Sequence, residues 1–180
     1  MKFRIPLESE RLLLEPLGTS HYSDIYLNWL NDPEVNKYLE SKECNEKMLS
    51  DYLEEIERKQ ILSWAILVKA NEKQHIGNIK IDPINYTHKF AEYGILIGDK
   101  EAWGKGYAKE GSMRIIRYVF EEIIFLRKIT LGVVEANRSA LELYKKMDFE
   151  IEGVYKSHSF HDGKWNNVVR MALFNKKFFL

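Results

Sequence analysis

Trp103-Gly104-Lys105-Gly106-Tyr107-Ala108-Lys109-Glu110 stands between an apolar run, Tyr93-Gly94-Ile95-Leu96-Ile97, and a stretch with helical periodicity. In that stretch small and apolar residues recur at Ala108, Gly111, Ser112, Ile115, Ile116, Val119, Phe120 and Ile123. The first run reads as a buried strand and the second as an amphipathic helix, so the octapeptide is a strand-to-helix loop. Such a loop presents unpaired backbone N–H groups at the positive end of a helix, a physical site for phosphate. Its glycines let the backbone approach an anion and take up positive φ without a Cβ clash. Five basic residues (Lys100, Lys105, Lys109, Arg114, Arg117) against three acidic ones between Asp99 and Arg117 add positive charge. The spacing is neither the dinucleotide fingerprint nor a Walker P-loop. The plain alternative is a turn whose glycines only connect two elements.

Outward from the loop, Phe90 to Ile97 and Lys128 to Val134 are strands around a helix over Tyr107–Glu121. That step predicts a right-handed crossover with its two strands parallel. Toward the N-terminus, Arg11 to Leu17 reads as a first strand, with Pro16 limiting its pairing. Thr19 or Ser20 is expected to cap a helix reaching about Leu30, ended by Asn31-Asp32-Pro33. A second helix spans about Asn45 to Lys59, on Met48, Leu49, Tyr52, Leu53 and Ile56. Ser63–Lys69 and Gln74–Ile81 flank an Asn71-Glu72-Lys73 turn as a hairpin. Toward the C-terminus, Asn137 caps a helix from Arg138 to Met147, and two strands, 149–160 and 165–174, meet at Asp162-Gly163. The order predicts an α/β (α+β) fold: a mixed sheet with helices on its faces.

The bulk numbers agree with one folded domain over 1–180. Hydrophobic content is 45% and charged content 30%, as in globular proteins and unlike disordered ones. No apolar run approaches the ~20 residues of a membrane span, and Met1-Lys2-Phe3-Arg4-Ile5-Pro6 lacks a signal-peptide core. A single cysteine, Cys44, admits no internal disulfide, so a cytoplasmic setting is expected. Glu43 and Glu46 beside it should raise its pKa and argue against a reactive thiol. Twenty-seven basic side chains balance 27 acidic ones, which implies no nucleic-acid partner. From Asp32 to Glu57, however, nine acidic residues face three basic ones. This is either a solvated helix face or an acidic lip that draws in a cationic substrate. His75 and His88 have no metal-ligand spacing, and no metal site is expected.

Three segments together resemble the GNAT N-acetyltransferase superfamily, in the branch that includes the ribosomal-protein N-terminal acetyltransferases. They are the loop 103–110, the run Glu135-Ala-Asn-Arg-Ser-Ala-Leu-Glu-Leu-Tyr-Lys-Lys-Met-Asp-Phe149, and the tail Glu152-Gly153, Asp162-Gly163, Arg170-Met171. The resemblance implies a mixed, mostly antiparallel sheet of about seven strands, helices on both faces, and a splayed central strand pair. It implies acetyl-CoA as co-substrate, with the diphosphate on the backbone of Trp103, Gly104, Lys105, Gly106, Tyr107, Ala108 and Lys109. The family loop has the form Gln/Arg-x-x-Gly-x-Gly/Ala; Gly106 and Ala108 match, and Trp103 replaces the Gln/Arg. Lys105 or Lys109 is then expected to supply the charge. Ile95, Leu96 and Ile97 would pair through their main chain with the pantetheine arm, as an added strand would. A bulge there would splay this strand from Lys128–Val134.

By the same resemblance Asn137 contacts the cofactor arm, beside its plain role as an N-cap. Tyr144 lies near the cofactor sulfur, although spacing alone makes it a core aromatic. Asp148 stands where the family has glycine, at a position expected to be left-handed, which Asp tolerates.

The implied reaction joins a primary amine to a thioester acetyl group. Deprotonating a lysine-like or polyamine nitrogen (pKa ~10.4) at pH 7 costs about 4.6 kcal/mol, against about 1.4 for an α-amine near 8. A general base is worth ~10²–10⁴ in rate, and Glu92 is the candidate: it lies two residues before Gly94, on the same strand face. Its alternatives are an edge-strand glutamate paired to a lysine, or a water chain doing its work. Tyr144 as the acid faces a thiolate of pKa ~8.5, a transfer uphill by about 2 kcal/mol. Trp29, Asn31 and Tyr38 fall where the family's acceptor pocket lies, and His158 is a further candidate on the late hairpin. The acceptor is a small amine (a polyamine or nucleotide amino-sugar) or a protein N-terminus. A homodimer through an exposed strand edge is a further expectation. A non-catalytic acyl-CoA sensor and a scaffold with a vestigial cleft are the competing readings.

Overall fold

The structure, a computed structural model, describes residues 3–70, 73–123 (of Ile123, the backbone) and 126–178. Its elements are β1 (Leu7–Glu8), β2 (Leu12–Pro16), α1 (Asp24–Asn31), α2 (Glu46–Arg58), β3 (Leu62–Val68), β4 (Gln74–Asn85), β5 (Phe90–Ile97), α3 (Tyr107–Arg117), β6 (Lys128–Val134), α4 (Arg138–Lys145), β7 (Glu150–His161) and β8 (Lys164–Phe174). They form one eight-stranded sheet of order β1-β2-β3-β4-β5-β6-β8-β7. The strand beyond the seven expected is β1, whose two residues are too short to show any alternation in sequence. β5 and β6 pair in parallel through Phe90–Glu92 and Lys128–Thr130, as the crossover requires. The other pairings described are antiparallel. The chain divides into two compact units, one running to Asp82 with Gly94–Ile116, the other Pro83–Tyr93 with Arg117 onward.

In the first unit, Leu14 pairs with Ile66 and Trp64 with Ile79, so these side chains share a sheet face. α3 lies on that face: a Cβ on Gly111 would sit within 3.5 Å of Ile79, Leu12 and Leu14. The opposite face carries Ala65 and Leu67, clustered with Tyr26 and Trp29 of α1 and Leu49, Leu53 and Ile56 of α2. Each such buried aliphatic side chain contributes about 1.5–3 kcal/mol. Met48 and Tyr52, assigned to the same stripe, fall at its margin and are exposed. Asn45 caps α2, its side chain accepting from Met48 N at 2.9 Å. The cap of α1 differs from expectation: Ser23 accepts from Tyr26 N, whereas Thr19 and Ser20 belong to a separate 3₁₀ turn, Thr19–His21. The Thr19 hydroxyl and N–H are both engaged by the Glu57 carboxylate.

In the second unit β8 lies between β6 and β7. Asp162 and Gly163 turn the β7–β8 hairpin with φ of 53° and 72°, the left-handed pair that a tight two-residue turn demands. The α3 helix ends earlier than expected, at Arg117, and the chain continues as a π-helical turn, Tyr118–Ile123. Buried Asn175 donates to the carbonyls of Phe120 and Leu126. The Asn71-Glu72 part of the expected β3–β4 turn lies outside the described residues; Lys73 after it has φ 61°. Among the described residues no helix is long and apolar enough to cross a membrane.

Candidate active site

The glycine loop is built within the first unit. Gly104 and Gly106 have φ of 73° and 81°, which an L side chain at either position would resist. Trp103 donates its indole N–H to the Ile97 carbonyl at 2.9 Å. The residue in place of the family's Gln/Arg thus pins the loop to the end of β5. Trp103 N and Ala102 N close a 3₁₀ turn on Lys100 O and Asp99 O, and Glu110 N donates to Gly106 O at 3.1 Å to open α3. Among the described residues, the N–H groups of Gly104 through Lys109 donate to no protein acceptor. Lys105 and Lys109 are exposed and form no ion pair among the described residues. Unpaired amides, a helix N-terminus and two free lysines make a site complementary to an anion such as a diphosphate.

Three residues that sequence reasoning missed stand behind the loop. Arg11 donates from Nη1 to Lys105 O at 3.0 Å and from Nε to Glu110 at 2.7 Å, and its guanidinium lies 4.6 Å from the Tyr107 ring centroid. Ser9 Oγ and Arg11 N also donate to Glu110. Burial alone would raise the Glu110 pKa, but these bonds and the Arg11 charge hold it below the ordinary carboxylate value. The sole hint in sequence was an acidic residue in the first turn of a helix meant to receive an anion.

The candidates for the chemistry, Tyr144 and Glu92, lie in the second unit. Tyr144 is buried, its ring 6.1 Å edge-on from Tyr93 and 5.7 Å from Phe149. Burial pushes its hydroxyl up to about 12. Glu92 forms an ion pair with Arg170, reached diagonally across β6, where Glu92 is level with Thr130 and Arg170 with Gly132. Its partner is therefore an arginine, not the lysine weighed from sequence. Asn137 caps α4, its Oδ1 accepting from Ala140 N at 3.2 Å and from Ser139 Oγ at 3.1 Å. Asp148 has φ 63°, the left-handed turn expected there.

The substrate candidates serve packing to differing degrees. Trp29 is 7% exposed and fills the space a Cβ on Gly98 would need. Asn31 is a local clamp, donating to Leu27 O and Cys44 O and accepting from Cys44 N. Tyr38 is half-buried with Lys37 over its ring at 5.6 Å. His158 is exposed and stacks edge-on with Tyr155 at 5.0 Å. The Cys44 thiol is raised as expected, by burial and not by the flanking glutamates. No metal-binding cluster exists among the described residues.

Residues 11–150 match the model of the GNAT acetyltransferase domain. The chain belongs to the GNAT acetyltransferase family. It is therefore an N-acetyltransferase that takes its acetyl group from acetyl-CoA, and the unpaired amides of the glycine loop fit that donor's diphosphate. Among its relatives, a spermidine N(1)-acetyltransferase of Vibrio cholerae is 35% identical over 131 residues, covering 71% of this chain and 75% of that protein. A crystal structure of the Vibrio cholerae spermidine N-acetyltransferase in complex with CoA and spermine superposes with a TM-score of 0.81 at 27% identity. It covers 96% of this chain and 100% of that one. A GNAT acetyltransferase from Bacillus anthracis, 19% identical with a TM-score of 0.80 over 95% of this chain and 99% of its own, shares the fold.

Proposed function

We propose that this GNAT enzyme acetylates a primary amine of a polyamine. The observation that carries the reading is the identity with the Vibrio cholerae spermidine N(1)-acetyltransferase over most of both chains. Charge supports it. Within the acid-rich segment, Asp32 and Glu34 are engaged by Lys100, Asp51 by Lys47 and Glu55 by Lys59. Glu40, Glu43 and Glu46 remain exposed and without an ion pair among the described residues, available to a polycation. The motif resemblance pointed to the ribosomal-protein branch; the Vibrio cholerae relatives are spermidine enzymes.

Acetyl-CoA, when bound, supplies an acetyl group activated as a thioester and a thiolate as leaving group. The amides of Gly104–Lys109 bind the diphosphate oxygens, with Lys105 and Lys109 adding charge. The main chain of Ile95–Ile97 is the surface for the pantetheine arm, with the Ile97 carbonyl already occupied by Trp103. Tyr144 holds its proton at Oη at neutral pH and offers it where the thiolate forms. At a pKa of about 12, full transfer to a group of pKa ~8.5 is uphill by about 5 kcal/mol, so Tyr144 acts first as a hydrogen-bond donor to developing charge. Taking the proton from the ammonium falls to Glu92, held in orientation by Arg170, or to a water chain ending on backbone carbonyls.

The test is thiol release from acetyl-CoA across a panel of spermidine, spermine, a nucleotide amino-sugar and a peptide N-terminus. Spermidine or spermine should give the highest kcat/KM. A higher value for the sugar or the peptide replaces the polyamine as acceptor. CoA binding without turnover of any amine leaves a sensor in its place.

A further inference from the structure

The loop that receives the donor's diphosphate is held from behind by the side chain of Arg11, in the bend between β1 and β2. In a planar trans peptide the carbonyl and the N–H point in opposite directions. The Arg11 Nη1 bond to Lys105 O therefore turns the Gly106 N–H away from Arg11. The Glu110 N bond to Gly106 O orients the Tyr107 N–H in the same manner. Two consecutive donors are thus aimed before any ligand arrives. The electrostatics require the same partner. Glu110 places a carboxylate in the first turn of the helix meant to attract an anion. Arg11 and Ser9 absorb that charge through three hydrogen bonds to the carboxylate, two from Arg11 and one from Ser9, while a further one from Arg11 holds the loop.

We infer that Arg11, with Glu110 as its counter-ion, is a positioning residue for the diphosphate of the acetyl donor, acting through the Lys105–Gly106 peptide. This rests on the acetyl-CoA reading of the loop. Arg11 makes no contact with the reacting atoms in this scheme, so its effect belongs to donor binding and not to chemistry.

The experiment measures CoA affinity by calorimetry and steady-state kinetics for wild type and Arg11→Ala. It uses two donors: acetyl-CoA, and the acetyl thioester of N-acetylcysteamine, which has no diphosphate. Arg11→Ala should weaken CoA binding and raise the KM for acetyl-CoA about ten- to hundredfold, the worth of losing hydrogen bonds from a charged group. Its kcat at saturating acetyl-CoA, and its kcat/KM for the diphosphate-free thioester, should stay within about threefold of wild type. Unaltered CoA affinity overturns the inference, and so does an equal loss with both donors, which marks general damage. Should Arg11→Ala fail to give a cooperative melt, Arg11→Lys and Glu110→Gln replace it. Each should raise the KM for acetyl-CoA and spare the short thioester, and an unchanged KM in both overturns the inference. Absence of CoA binding by wild type removes the parent reading, and this one with it; intact binding by wild type and variant alike removes this one alone.

Discussion

At Asp148 the backbone turns through φ 63° between two buried residues, Met147 and Phe149. Glycine adopts that conformation freely, whereas a residue with a Cβ is strained there. Since the Asp148 side chain is exposed, Asp148→Gly should stabilise the fold by up to about 1 kcal/mol, seen as a higher urea midpoint with an unchanged m-value. A lower midpoint would show that the carboxylate makes a contribution the turn geometry does not reveal. Four residues earlier in the chain, Tyr144 is the proton donor proposed above. Tyr144→Phe preserves the ring packing against Tyr93 and Phe149 and removes only the hydroxyl. It should lower kcat about 10²–10⁴-fold with the KM for acetyl-CoA little changed; full turnover would dismiss the hydroxyl from the reaction. The turn at Asp148 was legible in sequence because it sits in a local pattern of a few residues, whereas spacing alone gave Tyr144 only its place in the core. Glu92 was half legible: its strand and face could be read, but its partner Arg170, 78 residues away, could not.

Among the elements, α1 and β4 are joined by a histidine. The His75 ring meets Trp29 at 5.1 Å, Tyr26 at 5.5 Å and His21 at 5.7 Å. Its Nε2 lies 3.0 Å from Gly77 O and 2.9 Å from Asn78 Oδ1. Desolvation lowers the pKa of both His75 and His21. For a histidine kept neutral in the fold, the unfolded chain binds more protons once pH drops below the ordinary value near 6.5. Stability is therefore whole above that pH and falls beneath it, by up to about 1.4 kcal/mol per pH unit for each histidine. His75→Gln should flatten the decline between pH 6.5 and pH 5 in urea unfolding, whatever it costs at pH 7.5. An unchanged slope would place the sensitivity elsewhere. The elements themselves were readable where a cap or turn is local, as at Asn45, Asn137 and Asp162-Gly163. The cap of α1 was misplaced because Glu57, brought in by α2, takes Thr19 for another purpose.

For the molecule as a whole the formal charge is zero, yet the acids between Asp32 and Glu57 are only partly neutralised. Raising ionic strength from ~0.1 M to ~1 M shortens the screening length from about 10 to about 3 Å. With acetyl-CoA saturating, the KM for spermidine should rise several-fold over that range, and rise more than the KM for a monoamine. Equal responses would detach the acidic segment from acceptor capture. The succession of elements along the chain, the parallel crossover and the family could be read because apolar periodicity and three motifs run in chain order; the place of β8 between β6 and β7 could not. The grip of Arg11 on Glu110 could not, since 99 residues separate them and nothing near either one names the other. The same loop carries one more property. Trp103 is 44% exposed and its indole is fixed by one bond to the Ile97 carbonyl. A molecule settling on the adjacent amides changes the solvent around that ring, so the colour and yield of its fluorescence become a built-in optical gauge of donor occupancy, needing no attached dye.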